Sequence, residues 1–312
     1  MIFRSAPNRP AGTVRGMEQT LTDTAAPFDG RAFGSAATTV VLWASAFVVI
    51  RDAGASFGPG ALALGRLAVG AVALVVLLVA RGEGLPPRAA WPGIAASGVL
   101  WFGFYMVALN WGEQQVDAGT AAMVVNIGPL LIALLGGWLL KEGFPRGLVA
   151  GIAVSFTGAV VTGLSMSGGG GHGSLLGIVL CLLSAAAYAA GVVLQKPALR
   201  HATPLQTTTF GCMIGAVACL PFAPGLVHDL GHAPASAVLG LVYLGLFPTA
   251  LAFTTWAYAL SRTTAGRMGA TTYAVPALVV LMAWLLLGEL PAPLALAVGA
   301  LCLTGVAVSR RA

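Results

Sequence analysis

The chain has 312 residues, 58% of them apolar and only 8% charged, with a mean hydropathy of +0.90. A water-soluble domain carries about 45–50% apolar and about 25% charged residues, so there is too little polar surface here to coat a soluble globule. The net charge of +6 comes from basic residues scattered between apolar runs, not from a patch. That distribution argues against a nucleic-acid partner and leaves lipid as the solvent.

In chain order, residues 1–32 mix Pro, Gly, Thr and isolated charges without the apolar region a secretory signal needs, and read as a disordered cytoplasmic tail. Ten apolar stretches follow, at 34–52, 60–80, 92–111, 119–140, 146–164, 174–195, 205–223, 236–259, 266–287 and 292–309. Each approaches the roughly 20 residues a helix needs to cross the hydrocarbon core. The breaks between them hold Gly, Pro and nearly all the charge, as interfacial turns should. The expected fold is therefore all-α and integral to the membrane, with ten transmembrane helices.

Basic residues orient these spans. With the N-terminus in the cytoplasm, 14 of the 16 Lys and Arg fall on the cytoplasmic side; Arg51 alone is external and Arg66 alone lies within a span. The positive-inside rule then puts both termini in the cytoplasm of a multi-pass protein of the inner (plasma) membrane.

The chain also repeats itself. An offset of 147 sets Ala118 on Ala265, Pro129 on Pro276, Glu142 on Glu289 and Gly158 on Gly305. An offset of 145 sets Trp43 on Tyr188, Arg51 on Lys196 and Pro59 on Pro204. Two five-helix halves are expected, over 33–164 and 174–309, joined by a Gly-rich linker at 165–173. Five is odd, so the second half is inverted relative to the first, the arrangement from which alternating access is built.

The stretch Trp43-Ala-Ser-Ala-Phe47 with Arg51, the Pro59…Arg66 element and the duplicated Pro…Glu…Gly segments resemble the EamA-type family of drug/metabolite transporters. The resemblance spans about residues 34–309. It implies ten helices, export of amino acids or related metabolites, and a cavity lined mainly by helices 1, 3, 4, 6, 8 and 9.

Candidate site residues are the polar and aromatic side chains of the spans. These are Trp43, Ser45, Tyr105, Asn110, Asn126, Tyr188, Trp256, Tyr258, Thr272 and Tyr273, each of which could instead serve interhelical bonding or an aromatic belt. Pro129 and Pro276, ten residues into their spans, are expected to kink them as hinges or to free carbonyls toward the cavity. Glu142 and Glu289 close the same helices; each precedes a proline that can start the next helix, so a structural role at that N-terminus is preferred over a gating ion pair. Arg66 could snorkel, pair with Asp52 or Glu113, or face the cavity and attract a carboxylate.

No carboxylate occupies a span interior, so no mid-membrane proton relay is expected. The Gly168–Gly171 run lacks a Gly-Lys-Ser/Thr ending and is no phosphate loop. Cys181, Cys212, Cys219 and Cys302 lie in apolar stretches without metal spacing, and all four histidines are placed in loops, so neither cofactor nor metal is expected. No HExxH, GxSxG or acid cluster supports a membrane enzyme. The sequence thus points to a secondary transporter exporting a small molecule, with uptake, a channel or an enzyme as alternatives; oligomeric state is left open.

Overall fold

Backbone amides in hydrocarbon have no water to bond, so they must bond within their own segment. Accordingly, every element among the described residues is helical. The computed structural model describes residues 29–115, 124–125, 127–154, 157, 175–275, 278, 281–282 and 304. The tail over 1–28, the linker at 165–173, and Asn126, Pro276 and Glu289 lie outside the described residues.

The helices are α1 (Gly30–Ala53), α2 (Pro59–Ala80), α3 (Arg88–Glu113), α4 (Gly128–Leu139), α5 (146–154), α6 (Leu175–Ala198), α7 (Pro204–Ala218), α8 (Leu220–His232), α9 (Ala235–Leu260) and α10 (Ala265–Thr271). Among the described residues α2, α3, α6 and α9 are each long and apolar enough to cross a membrane, and the pair α7–α8 adds a fifth if counted as one span. The seventh stretch, expected over 205–223, begins at Pro204. It stops at Ala218 and bends by 52° into α8. Pro221 lies just past the break, where a continuing helix would need its missing N–H. His228 and His232 consequently sit on α8 and not in a loop.

Two helices widen at matching places. Gly98–Phe104 within α3 and Gly245–Leu251 within α9 are both π-helical, and they lie 147 residues apart, the offset that aligns Ala118 with Ala265. In α9 the cause is Pro248, which cannot donate to the preceding turn and pushes its carbonyl aside. In α3 the position matching Pro248 is Trp101, and Gly98 matches Gly245, so no proline accounts for the widening there.

Packing relies on small residues. Gly211 and Gly215 of α7, spaced for close helix contact, lie against Phe102 of α3; a Cβ at Gly215 would stand 2.5 Å from Phe102 Cβ. Gly266 and Gly269 of α10 approach Ala133 and Ile132 of α4 in the same way. The largest buried cluster runs through Leu67, Leu74, Trp101, Phe102, Tyr188, Val192, Phe253 and Trp256. Outward, Val72, Val76, Val79, Trp138, Leu175 and Leu239 are 63–77% exposed. Such a face is costly in water and natural against lipid.

Candidate functional site

Four helices each send aromatic rings to one interior spot. Trp43 of α1 tilts over Trp256 of α9 at 5.0 Å between ring centroids and meets Phe253 at 5.4 Å and Trp101 of α3 at 6.0 Å. Trp101 in turn contacts Phe253 at 4.8 Å, Tyr188 of α6 at 5.4 Å and Trp256 at 5.5 Å. Tyr105, one turn after Trp101, reaches Tyr188 at 5.7 Å. Trp101, Trp256 and Phe253 are fully buried and Tyr188 nearly so. Each tilted or edge-on pair adds about 0.5–1.5 kcal/mol beyond area burial, which makes the cluster a cohesive plug between helices.

Trp43, Tyr105, Tyr188 and Trp256 are thus brought together. Two further rings, Trp101 and Phe253, belong with them. Their spacing was the available signal: Trp101 lies four residues before Tyr105 and Phe253 three before Trp256, on the same helical faces.

Other candidates are engaged elsewhere. Ser45 shares its hydroxyl with Tyr243 of α9 at 2.8 Å, on the side of α1 away from Trp43. Asn110 donates its amide to Pro59 O at 3.0 Å and ties α3 to the start of α2. Tyr258 carries the Arg262 guanidinium over its ring at 3.6 Å. Tyr273 is fully buried with Ala133, Leu148 and Ala270. Thr272 bonds back to Gly269 O at 2.8 Å and stands beside the Tyr188 hydroxyl. Arg66 does not snorkel: it is buried and donates from Nε to Thr249 Oγ1 in the π-helical stretch of α9 at 3.1 Å, with Glu113 in electrostatic range. The Trp43 indole N–H donates to Pro248 O of that same stretch at 3.2 Å.

Glu142 forms a clasp. Its carboxylate accepts from the Ala265 N–H at 2.8 and 3.0 Å and from Gly266 N–H at 3.5 Å, and Lys196 Nζ stands 3.5 Å away. Lys196 also donates to Leu260 O at 3.0 Å and to Thr263 O. Glu142 therefore serves the N-terminus of α10, whose free N–H groups favour a negative charge. This replaces the expectation that it serves the helix starting after Pro145. One carboxylate and one ammonium join the ends of α4, α6, α9 and α10.

In each half a turn breaks the described helix a few residues before the central proline in sequence, at Ile127 and at Thr272–Tyr273. Pro129 lies in the first turn of α4, just after a turn at Ile127, and not inside a continuous kinked helix as expected. There its missing N–H leaves no bond unmade. In the second half α10 ends at Thr271, and Thr272, Tyr273 and Val275 donate to carbonyls three residues back, tightening the chain just ahead of Pro276. Among the described residues no group of three or more His, Cys, Asp or Glu is placed to hold a metal. The cluster is aromatic and uncharged, its rings packed directly against one another between helices of both halves.

The model of the EamA-like transporter family matches residues 32–164 and again 175–311. A probable terminal-alkyne amino-acid exporter of Streptantibioticus cattleyicolor is 38% identical over 275 residues, covering 88% of this chain and 91% of that one. The uncharacterized transporter YdfC of Bacillus subtilis is 34% identical, covering 86% and 89%. A probable amino-acid metabolite efflux pump of Escherichia coli is 26% identical, covering 60% and 64%. A protein of known crystal structure has the same fold, with a TM-score of 0.73 at 23% identity over 89% of this chain and 98% of that one. The chain, an all-helical protein with helices apolar enough to span a membrane, belongs to the EamA-like transporter family.

Proposed function

We propose that the protein is a secondary exporter of amino acids or closely related small metabolites, working by alternating access between two inverted five-helix halves. In this reading ten helices cross the plasma membrane, both termini are cytoplasmic, and the packed aromatic cluster is the substrate site in its closed, empty form. The observation that carries it is the convergence of Trp43 and Trp101 from the first half with Tyr188 and Trp256 from the second on one buried spot. Only relative movement of the halves could open such a site. The Glu142–Lys196 clasp then closes the cytoplasmic end, because the loops that bear it are those the basic residues place inside.

Helices interrupted near mid-membrane in both halves fit the same reading, since broken helices commonly form carrier sites. Export, in place of uptake, follows from the relatives named as an exporter and an efflux pump.

The test is counterflow in proteoliposomes. Vesicles preloaded with unlabelled apolar amino acids are expected to accumulate the labelled compound transiently and saturably. Linear, non-saturating flux would make the protein a channel. In cells, deletion of the gene is expected to raise internal levels of at least one such compound; unchanged outward flux across a panel of toxic amino acids would remove export.

A further inference from the structure

Gln195 of α6 is fully buried, and neither its carboxamide oxygen nor its nitrogen has a hydrogen-bond partner among the described residues. It lies seven residues beyond Tyr188, about 20° short of two full turns, so the two side chains share one face of α6. One turn back on that face, Gly191 rests against Trp101: a Cβ there would stand 2.6 Å from Trp101 Cβ. The next residue, Lys196, is turned away by about 100° and engaged in the clasp. Gln195 therefore shares the α6 face of Tyr188 and Gly191 and lies one residue from the clasp. A second orphan borders the same cluster: the Trp256 indole nitrogen, also fully buried, has no acceptor among the described residues.

Buried polar groups without partners are rare, because each forfeits the hydrogen bonds it made in water. A leucine or methionine would fill the volume of Gln195 without that loss. Among the described residues nothing uses the amide. It does not cap a helix and does not bond Lys196 or Glu142.

We propose that Gln195, with the Trp256 N–H, reads the polar head of the substrate, and that this substrate is a zwitterionic α-amino acid with an apolar side chain. This deepens the exporter reading and rests on it. The carboxamide NH2 and the indole N–H donate to the α-carboxylate, while the carboxamide oxygen accepts from the α-ammonium. An uncharged reader matches a ligand of zero net charge, since a fixed ion would leave one half of the zwitterion opposed. The apolar side chain enters between Trp43, Trp101, Tyr188 and Phe253 when movement of the halves parts the packed rings.

The experiment uses the full chain in proteoliposomes with labelled L-norleucine as probe and n-pentylamine, its decarboxylated counterpart, as competitor. Gln195→Leu is expected to raise KM for L-norleucine at least about tenfold, the usual scale for removing a buried hydrogen-bonding partner. It is also expected to raise the thermal midpoint, because an orphan amide is gone. A merely structural amide predicts the reverse, a lowered midpoint with abundance and transport falling together. Gln195→Glu provides the second variant: its carboxylate repels the α-carboxylate, so n-pentylamine should gain at least tenfold as a competitor relative to wild type. An unchanged KM in Gln195→Leu, an unchanged competition ratio in Gln195→Glu, or failure of both variants to reach the membrane overturns the assignment alone. Absence of L-norleucine counterflow by the wild type overturns the amino-acid reading, and the assignment falls with it.

Discussion

Glu142 is a residue whose energetic role can be bounded. Its carboxylate is mostly shielded and accepts two short bonds from the Ala265 N–H while facing the Lys196 ammonium. A hydrogen bond to a charged group contributes about 1.5–3 kcal/mol, and 1.4 kcal/mol changes an equilibrium about tenfold. Glu142→Ala should therefore shift the protein toward the state open at that end by roughly tenfold or more. Met268, fully buried one turn inside the clasp, offers the readout. In a background without native cysteines, maleimide labelling of Met268→Cys from the cytoplasmic side is expected to accelerate about tenfold in Glu142→Ala. Lys196→Ala should act in the same direction, and the two should be less than additive because they share one network. An unaltered labelling rate would make the clasp a static cap.

The same scale shows what could be read in advance and what could not. Trp43, Tyr105, Tyr188 and Trp256 are large rings in apolar helices, and their convergence could be anticipated from type and position. Ser45, Asn110 and Tyr258 carry equally suitable groups but face Tyr243, Pro59 and Arg262. In a soluble helix the apolar stripe marks the core face. In lipid both the outer face and the packed face are apolar, so the period of 3.6 does not say which way a polar side chain turns. Gln195 was invisible for the related reason that it sits beside Lys196 at the end of a span, where a polar residue draws no notice.

At the scale of elements, span positions followed from hydropathy to within a few residues for α2, α6 and α9. The π-helical stretches did not, because a one-residue shift in hydrogen-bond register leaves no compositional trace beyond Pro248. Nor did the turns at Ile127 and Thr272–Tyr273 emerge, since a break near proline looks like a kink when only sequence is at hand. Close helix contacts at glycine make the element-scale prediction. Gly191 has no room for a Cβ against the Trp101 backbone and Cβ, so Gly191→Ala must push α6 from α3. Overpacking of this kind costs about 1–3 kcal/mol. Gly34, at an exposed position of α1, would place a Cβ in open space, and Gly34→Ala should be neutral or stabilise by about 0.5–1 kcal/mol through helix propensity. Thermal melts in one detergent should therefore separate the two variants, with Gly191→Ala lower than wild type and Gly34→Ala equal or higher. Coincident midpoints would mean that α3 and α6 slide freely and that the aromatic cluster is less cohesive than its ring contacts suggest.

For the whole molecule, the decisive quantity is the side of the membrane on which each loop lies. The family model matches twice, and both π-helical stretches fall at one offset, so the halves have a common local build. Whether they are inverted depends on the charge distribution, with 14 of 16 basic residues assigned to one face. If the halves were parallel, Glu142 and its sequence counterpart Glu289 would lie on the same side, and rocking of one half against the other would not exchange inward for outward access. If they are inverted, the loop bearing Phe144 is cytoplasmic and the loop bearing Ala292 is external. Single cysteines at these two positions distinguish the cases. In intact cells a membrane-impermeant maleimide is expected to label Ala292→Cys at once and Phe144→Cys only after permeabilisation. Labelling of both from one side would abolish the two-fold relation. The aromatic cluster would then be an interior core with no mechanism to expose it alternately to the two faces.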